Sequence, residues 1–264
     1  MGLVTLAKEA LSVALKAGEE ILKVYEGGDL KTSYKEDSSP LTAADEASDR
    51  VISEGLKRIA PDIPVLSEET KAEPYVVRRN WKRLWIIDPL DGTKEFIKRN
   101  GEFTVNIALV EDNKPVLGVV HAPALGVSYF GVVGEGAFRI DKDGETVIRV
   151  SDYGQGRLRI VGSRSHAGKE LEEFVKNTGD ADFVSMGSSL KFCLVAEGKA
   201  HLYPRFGPTM EWDTAAAHAV VKAAGGSVTD LEGRELTYNK EDLLNPFFMV
   251  TGAPSFPWQR FLKK

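Results

Sequence analysis

The most informative segment of the sequence reads Trp85-Ile-Ile-Asp88-Pro-Leu-Asp91-Gly-Thr93. Its apolar start predicts a buried strand that ends in two carboxylates. Pro89 bends the chain and Gly92 permits a close backbone approach, so both carboxylates can point to one place. Mg²⁺ takes oxygen ligands and keeps several waters when bound, and the carbonyl of Leu90 could add a further oxygen. The segment therefore predicts a Mg²⁺ site at a strand end.

The residues that follow Asp91 form a candidate phosphate site. The run from Thr93 to Arg99 can begin a helical turn, whose free N–H groups would face an anion held beside the metal. We expect the backbone of Asp91, Gly92 and Thr93 to contact the phosphate. A plain type I turn is the alternative for this segment, because Asp, Pro and Gly are common in such turns for geometric reasons.

Two further acidic segments complete the candidate metal site. Leu66-Ser-Glu68-Glu69 is a second apolar run that ends in carboxylates, and Glu211-Trp-Asp213 precedes an Ala-rich helix. Each segment has an ordinary structural explanation, an exposed acidic loop for Glu68 and a helix cap for Asp213. The presence of Asp88 and Asp91 favours metal binding for Glu68, whereas for Asp213 the local pattern leaves a helix cap and a metal ligand equally open.

The first part of the chain predicts two helices followed by a β-meander. Residues 3–25 repeat apolar side chains at helical spacing. Thr42-Ala-Ala-Asp45 has the form of a capping box, and a second helix runs from it towards Pro61. Capping explains Thr42 and Asp45 without any catalytic duty. The β-rich runs at 103–110, 115–121, 127–133 and 145–150 are separated by turns and predict an antiparallel meander.

From about residue 158 the pattern changes to an alternation of strands and helices, which indicates α/β structure. The predicted elements are strands at 158–161, 182–186 and 200–205 and helices at 167–177, 188–197 and 212–224. We expect an N-terminal α+β half, residues 1–155, which carries most metal ligands. A C-terminal α/β half, residues 156–264, carries Asp213 and the specificity segments. The two halves form one compact unit with a ligand cleft between them.

Composition excludes several classes of protein. The chain has 264 residues, of which 42% are hydrophobic, so it can bury a full core. A net charge of −5 gives no support for binding a nucleic-acid polymer. The single cysteine, Cys193, excludes an internal disulfide and a multi-thiolate zinc site. Charged residues interrupt residues 3–25, which excludes a signal peptide and a membrane span, so we expect a cytoplasmic protein.

In their order along the chain, the acidic segments resemble the inositol monophosphatase superfamily. Its pattern is a Glu-Glu strand end, then Asp-Pro-x-Asp-Gly-Thr, then a Trp-Asp helix start, and the resemblance spans nearly the whole chain. Within the superfamily the chain is most similar to the CysQ-like 3′(2′),5′-bisphosphate nucleotidases. The segments that carry this similarity are Asp37-Ser-Ser-Pro-Leu-Thr-Ala-Ala-Asp45, Ser163-Arg-Ser-His166, Gly187-Ser-Ser-Leu-Lys-Phe-Cys193 and Tyr203-Pro-Arg-Phe-Gly-Pro208. Ala217 departs from the family's Trp-Asp-x-x-Ala-Gly element, which usually has Gly at this position.

The resemblance implies an α/β fold of alternating layers, an α-β-α-β-α sandwich of the inositol monophosphatase and fructose bisphosphatase type. It also implies two or three Mg²⁺ ions, inhibition by Li⁺, a homodimer, and peripheral association with the cytoplasmic face of the membrane. The implied metal ligands are Glu68, Asp88, the carbonyl of Leu90, Asp91 and Asp213. Thr93 and Glu68 would orient the attacking water, and Asp45 would support Thr93. No covalent phospho-enzyme is needed.

A second phosphate on the substrate requires a basic residue. Ser188, Ser189 and Lys191 follow a predicted strand, so helix-start N–H groups and an ammonium could receive that phosphate. The alternative for Lys191 is an ordinary solvated helix lysine. The expected substrate contacts are Asp91, Gly92, Thr93, Ser188, Ser189, Lys191, Arg205 and Asp213. Arg164 and Arg205 compete with Lys191, and His166 is either a ligand contact or a structural histidine. We interpret Trp85, Trp212 and Phe192 as aromatic residues of the core or of the cleft wall.

The similarity implies hydrolysis of the 3′-phosphate of adenosine 3′,5′-bisphosphate (PAP), which yields AMP and phosphate. Its sulfated relative, 3′-phosphoadenylyl sulfate (PAPS), is a candidate second substrate. An inositol or sugar monophosphatase is the first alternative, because the acidic residues do not identify the leaving alcohol. A non-catalytic regulator that binds metal or nucleotide is the second.

Overall fold

Two β-sheets, of seven and five strands, form the framework of the described chain. The structure is a computed structural model and describes residues 2–27, 32–34, 40–153, 156–163, 168–252 and 256–262. The helices are α1 (Leu3–Gly27), α2 (Ala43–Ile59), α3 (Tyr75–Arg78), α4 (Thr93–Ile97), α5 (Lys169–Asn177), α6 (Leu190–Ala196) and α7 (Ala215–Ala223). The strands are β1 (Thr32–Tyr34), β2 (Pro40–Thr42), β3 (Val65–Ser67), β4 (Arg83–Asp91), β5 (Thr104–Glu111), β6 (Lys114–Ala122), β7 (Val127–Val132), β8 (Gly136–Asp141), β9 (Gly144–Ile148), β10 (Leu158–Ser163), β11 (Ala181–Met186), β12 (Leu202–Arg205), β13 (Ser227–Asp230) and β14 (Phe248–Thr251). Short 3₁₀-helices occur at Pro123–Leu125 and Trp258–Phe261.

The larger sheet follows chain order from β3 to β9. Strand β3 is parallel to β4, and every later neighbour is antiparallel. The predicted meander is therefore confirmed. Strand β8 was not predicted, because most of its residues are only half-buried and give no clear alternation of apolar and polar side chains.

Helices α1 and α2 pack on one face of the larger sheet, as their apolar spacing predicts. Successive side chains of a strand point to opposite faces, and β4 shows this clearly. Trp85 and Ile87 are buried against α1 and α2, whereas Leu84 and Ile86 belong to the core on the other face. The expected core position of Trp85 is confirmed. The capping side chain of Thr42 lies outside the described part of the structure.

Helices α6 and α7 fill the space between the two sheets. Helix α7 lies so close to β6 that a Cβ atom at Gly118 would overlap the carbonyl oxygen of Ala216. Any larger residue at this position would push the helix away from the sheet, so Gly118 serves a close backbone approach. The same core contains Phe192, and half-buried Trp212 packs against it.

The smaller sheet has the order β11-β10-β12-β14-β13. Strand β10 is parallel to β11 and β12, whereas β14 is antiparallel to both of its neighbours. Its outer face packs against α5 through Phe174. Five layers, α-β-α-β-α, therefore follow one another, and the expected fold class is confirmed. Strands β13 and β14 were not predicted.

The larger sheet contains residues 65–148 and the smaller sheet contains residues 158–251. The proposed halves, 1–155 and 156–264, place their boundary in the connection between these sheets. In the described ranges, no helix combines the length and the apolar character that crossing a bilayer requires.

Candidate metal and phosphate site

A cavity of about 280 Å³ opens where the end of β4 faces the segments that follow β11 and β12. Eleven of the twelve predicted site residues line it. They are Glu68, Asp88, Leu90, Asp91, Gly92, Thr93, Ser188, Ser189, Lys191, Arg205 and Asp213. The twelfth, Asp45, is buried in the first turn of α2, near enough to Asp88 to raise the pKa of that carboxyl. The other candidates, Arg164 and His166, lie outside the described residues.

The carboxylates form one wall of this cavity. Glu68, Asp88 and Asp213 can each place a carboxylate oxygen so that the three atoms lie within 4.8 Å of one another. Asp91 lines the same cavity and raises the pKa of both Asp88 and Asp213. These four residues are called the acidic wall below. Three separate stretches of chain supply it.

A β-bulge aims two of these carboxylates at the cavity. Strand β4 pairs Asp88 with Asn106 and next pairs Asp91 with Thr104, so β4 has one extra residue between the two pairs. In a regular strand, side chains three positions apart point to opposite faces, and the bulge removes this opposition. Proline is tolerated at a bulge, and the Ser48 hydroxyl donates to the Pro89 carbonyl at 2.8 Å. The type I turn is wrong, because β4 continues through Asp91.

Burial and neighbouring charges act strongly on the pKa of Asp88. Its pKa lies well above the ordinary value, chiefly because burial disfavours the charged form, and then because of Glu68, Asp91 and Asp213. One oxygen, Oδ1, accepts from the Leu90 N–H at 3.1 Å. The other, Oδ2, is buried and has no hydrogen-bond partner within the described chain. A buried polar atom of this kind costs free energy unless it is paired, so it fits a cation ligand.

The pKa of Asp213 is raised for the same physical reasons as that of Asp88. Burial, followed by the charges of Asp91 and Glu68, raises its pKa to about 8. The Met210 N–H opposes this shift by donating to Asp213 Oδ2 at 2.8 Å. Without a cation, the wall therefore holds protons near neutral pH. Glu68, Asp88 and Asp213 offer carboxylate oxygens only, and such a donor set suits a hard divalent ion such as Mg²⁺.

Gly92 and Thr93 begin the predicted helical turn, which is α4. Gly92 has φ 93°, a left-handed conformation that a side chain would strain. Its carbonyl accepts from the Phe96 N–H at 2.9 Å, which closes the first turn. The first N–H groups of a helix have no intrahelical partner by geometry, which makes the first turn of a helix suited to contact an anion.

Ser188 and Ser189 link the smaller sheet's segment to β4 and β5. The Ser189 N–H donates to Asp91 Oδ2 at 2.6 Å, and its hydroxyl donates to the side-chain Oδ1 of Asn106 at 2.7 Å. The Thr104 hydroxyl lies 2.8 Å from both serine hydroxyls. The donors of Ser189 are thus engaged with protein atoms. Ser189 lines the cavity, and its expected contact with substrate stays a prediction.

Lys191 and Arg205 also line the cavity and are called the basic wall below. Lys191 is 6% exposed, so the alternative of a solvated surface lysine is wrong. Its ammonium donates to the Ser188 carbonyl at 2.5 Å and lies 5.4 Å from the Tyr203 ring centroid. Burial lowers its pKa to about 8, although Asp91 partly opposes this shift. Arg205 Nη2 donates to the Pro208 carbonyl at 2.9 Å, and its buried Nε has no partner among described residues.

Glu95 is a cavity residue that sequence reasoning missed. It is 7% exposed, and its charge raises the pKa of both Asp91 and Lys191. An acid in the first turn of a helix has an ordinary explanation in the helix dipole, so Glu95 carried no distinct signal. Thr104 and Asn106 were also missed. Two polar residues on one face of an otherwise apolar strand could have revealed them.

Comparison with known proteins identifies the class. The chain matches the inositol monophosphatase family over residues 3–247, and it belongs to this family. It is 52% identical to the 3′(2′),5′-bisphosphate nucleotidase CysQ of Salmonella typhimurium over 246 residues, which cover 92% of this chain and 98% of that protein. Identity to CysQ of Escherichia coli strain K12 is 51%, with the same shares of each chain. The predicted similarity to CysQ-like phosphatases is thereby confirmed.

Solved structures agree with this placement. The crystal structure of CysQ from Bacteroides thetaiotaomicron, a bacterial member of the inositol monophosphatase family, has 46% identity and a TM-score of 0.81, covering 95% of this chain and 98% of that one. The suhB protein of Bartonella henselae has 26% identity and a TM-score of 0.83, with 98% and 99% covered. Both likenesses extend over the whole sandwich, so the cavity lies within the shared fold.

Proposed function

We propose that this protein is a Mg²⁺-dependent nucleotidase that hydrolyses the 3′-phosphate of PAP to AMP and phosphate, with PAPS as a second substrate. The observation that carries the proposal is a single cavity that both the acidic wall and the basic wall line. A substrate with two phosphates needs such a site, because one phosphate must sit beside the metal and the other beside a fixed cation. The names of the CysQ relatives support the nucleotide class.

In this proposal, two or three Mg²⁺ ions bind the acidic wall together with the Leu90 carbonyl. When bound, they lower the pKa of a water and neutralise charge on the phosphoryl oxygens. The Thr93 hydroxyl and the Glu68 carboxylate orient the attacking water, and Asp45 supports Thr93. The N–H groups of Gly92 and Thr93 bind oxygens of the transferred phosphate.

The basic wall would receive the second phosphate. Lys191 is the stronger candidate, because its ammonium is buried at the cavity surface and uses the Ser188 carbonyl as a partner. Arg205 has a buried Nε that a phosphate oxygen could accept from. Such charge-assisted bonds hold the nucleotide in one orientation, so that its 3′-phosphate faces the acidic wall. A cytoplasmic location and a homodimer are family-level parts of the proposal.

An inositol monophosphatase is the second candidate function. The inositol monophosphatase of Anabaena shares the fold, with 26% identity and a TM-score of 0.76. The acidic wall serves either substrate equally, since it acts on the phosphate and not on the leaving alcohol. A buried lysine in the lining of the cavity favours the bisphosphate.

Phosphate release from PAP, inositol 1-phosphate and fructose 1,6-bisphosphate tests the proposal, with and without Mg²⁺. The variants are Asp91→Asn and, as a matched control, Asp62→Asn, which changes an exposed aspartate outside the cavity lining. We expect Mg²⁺-dependent release from PAP that Asp91→Asn abolishes and Asp62→Asn leaves intact. Preference for a sugar or inositol phosphate would overturn the substrate but keep the site. If none of the three substrates released phosphate, a non-catalytic regulator would become the favoured hypothesis.

A further inference from the structure

Glu211 is a fully buried carboxylate close to the acidic wall that takes no part in lining the cavity. It accepts from the backbone N–H groups of Asn239 at 2.5 Å and Lys240 at 2.9 Å, and from the Lys240 ammonium at 2.6 Å. A buried carboxylate is tolerated only when it is paired in this way. Glu211 stands two residues before Asp213, so its partners determine where the Asp213 segment lies.

Residues 209–214, called the Asp213 loop below, are held at both ends by the same neighbouring segment. Asn245 donates through its amide to the Met210 carbonyl at 2.7 Å and to the Thr214 hydroxyl at 3.0 Å. Met210 in turn donates its N–H to Asp213 Oδ2 at 2.8 Å. The direction of the Asp213 carboxylate therefore depends on contacts that residues 239–245 make with this loop.

Arg78 connects that segment to the other side of the acidic wall. It is 3% exposed and ends α3, which lies in the connection between the Glu68 strand end and β4. Its Nη1 donates to the Asn239 side-chain oxygen at 2.8 Å and to the Lys240 carbonyl at 3.1 Å. The Asn239 amide returns a bond to the Arg78 carbonyl at 2.8 Å. One buried network thus joins the chain after Glu68 to the Asp213 loop.

We propose that Arg78, Asn239 and Glu211 form a positioning network that fixes Asp213 at the spacing from Glu68 and Asp88 that a divalent cation requires. The three ligands come from separate stretches of chain, and the bulge in β4 orients Asp88 but does nothing for Asp213. Residues that hold metal ligands in place typically change metal affinity by about 10- to 100-fold when altered. The inference rests on the proposed metal site.

A network that merely stabilised the fold would change the melting temperature and leave cation affinity intact in folded protein. The measurement is therefore direct binding of Mn²⁺, followed by the electron paramagnetic resonance signal of the free ion. Mn²⁺ accepts the same carboxylate and carbonyl ligands as Mg²⁺. Binding is measured well below the melting temperature of each variant, and the melting temperature is recorded without metal.

Three variants and a control separate the possibilities. Glu211→Gln keeps the shape of the side chain and removes its negative charge, to which the Lys240 ammonium and the N–H groups of Asn239 and Lys240 donate. Asn239→Gly cuts the link to Arg78 and suits the left-handed backbone at this position, φ 62°. Asp213→Asn removes the ligand itself. Glu235→Gln is the control, because Glu235 pairs with Lys222 and His218, which lie further along α7.

We expect Glu211→Gln to weaken Mn²⁺ binding by about 10- to 100-fold and Asn239→Gly by a smaller factor, while Glu235→Gln lowers only the melting temperature. Wild-type Mn²⁺ affinity in folded Glu211→Gln and Asn239→Gly would overturn the inference. If Glu211→Gln does not fold, the Mn²⁺ affinity of Asn239→Gly decides alone: a wild-type value overturns the inference, and a weaker one supports it. Unchanged binding in Asp213→Asn would overturn the metal site itself, and with it the proposed function.

Discussion

The acidic and basic walls of the cavity differ in how their charges are compensated. Burial pushes both towards neutrality, raising the pKa of Asp88 and lowering that of Lys191. Lys191 already has Asp91 and the Ser188 carbonyl as partners, whereas Asp88 keeps a buried oxygen without one in the described chain. The charge of Lys191 is therefore compensated within the protein. The acidic wall requires a cation from solution, so we expect it to control turnover and the basic wall to control substrate choice.

Asp88→Asn should have the largest effect, because it removes the acid with the unpartnered oxygen. A bound metal contributes several kcal/mol of charge stabilisation, so we expect kcat/KM for PAP to fall by at least about 10³-fold. The metal-free protein should become more stable, since a neutral amide relieves the repulsion between buried carboxylates. Phosphate release and urea unfolding in EDTA measure the two effects. Retained activity would contradict the metal role of Asp88, and Asp62→Asn again serves as the control.

Lys191→Met tests the basic wall separately. It keeps the unbranched chain up to the ε position and removes the ammonium, so it should raise KM for PAP by about 10- to 100-fold, the range of one charge-assisted hydrogen bond. Adenosine 3′-monophosphate lacks the second phosphate, and its KM should change little. Lys199→Met, at a lysine whose side chain is 62% exposed, is the matched control. An equal loss on both substrates would assign Lys191 to the reacting phosphate instead.

Protons compete with the cation for the carboxylates of the acidic wall, so cation binding should depend on pH. Asp213 has its pKa raised to about 8, so this group contributes stability to the metal-free fold at low pH that is lost as the pH rises through 8. A cation replaces the proton, and the Mg²⁺ concentration for half-maximal activity should therefore fall by roughly tenfold per pH unit up to that pKa. Mg²⁺ titrations from pH 6 to pH 9 measure this slope. A slope of zero would show that the wall is already ionised without metal.

The local pattern was sufficient to predict the acidic wall but not how it is held. Asp88 and Asp91 are close in sequence, so one short segment contains both carboxylates and the proline between them. Glu211 looked like part of a helix start, because its partners at 239 and 240 lie far along the chain. Long-range pairing also explains why β14 was missed, since it inserts between β12 and β13. Short-range periodicity carries no information about such neighbours.

Ala217→Gly changes a residue outside the cavity lining and should have the smallest effect of these substitutions. Ala217 is fully buried in α7, where the family pattern usually has glycine. Glycine inside a helix costs about 1 kcal/mol relative to alanine, which corresponds to a melting temperature lower by roughly 2–4 °C in a protein of this size. Mn²⁺ affinity should not change, because the contacts described above hold Asp213 through its loop and not through the interior of α7.

Ala223→Gly provides the matched control, because Ala223 ends the same helix and is only half-buried. Both variants are measured by thermal unfolding without metal and by Mn²⁺ binding. If Ala217→Gly weakened Mn²⁺ binding while Ala223→Gly did not, the packing of α7 against β6 would help to set the position of Asp213. The acidic wall would then depend on the layer between the two sheets as well as on its own loop.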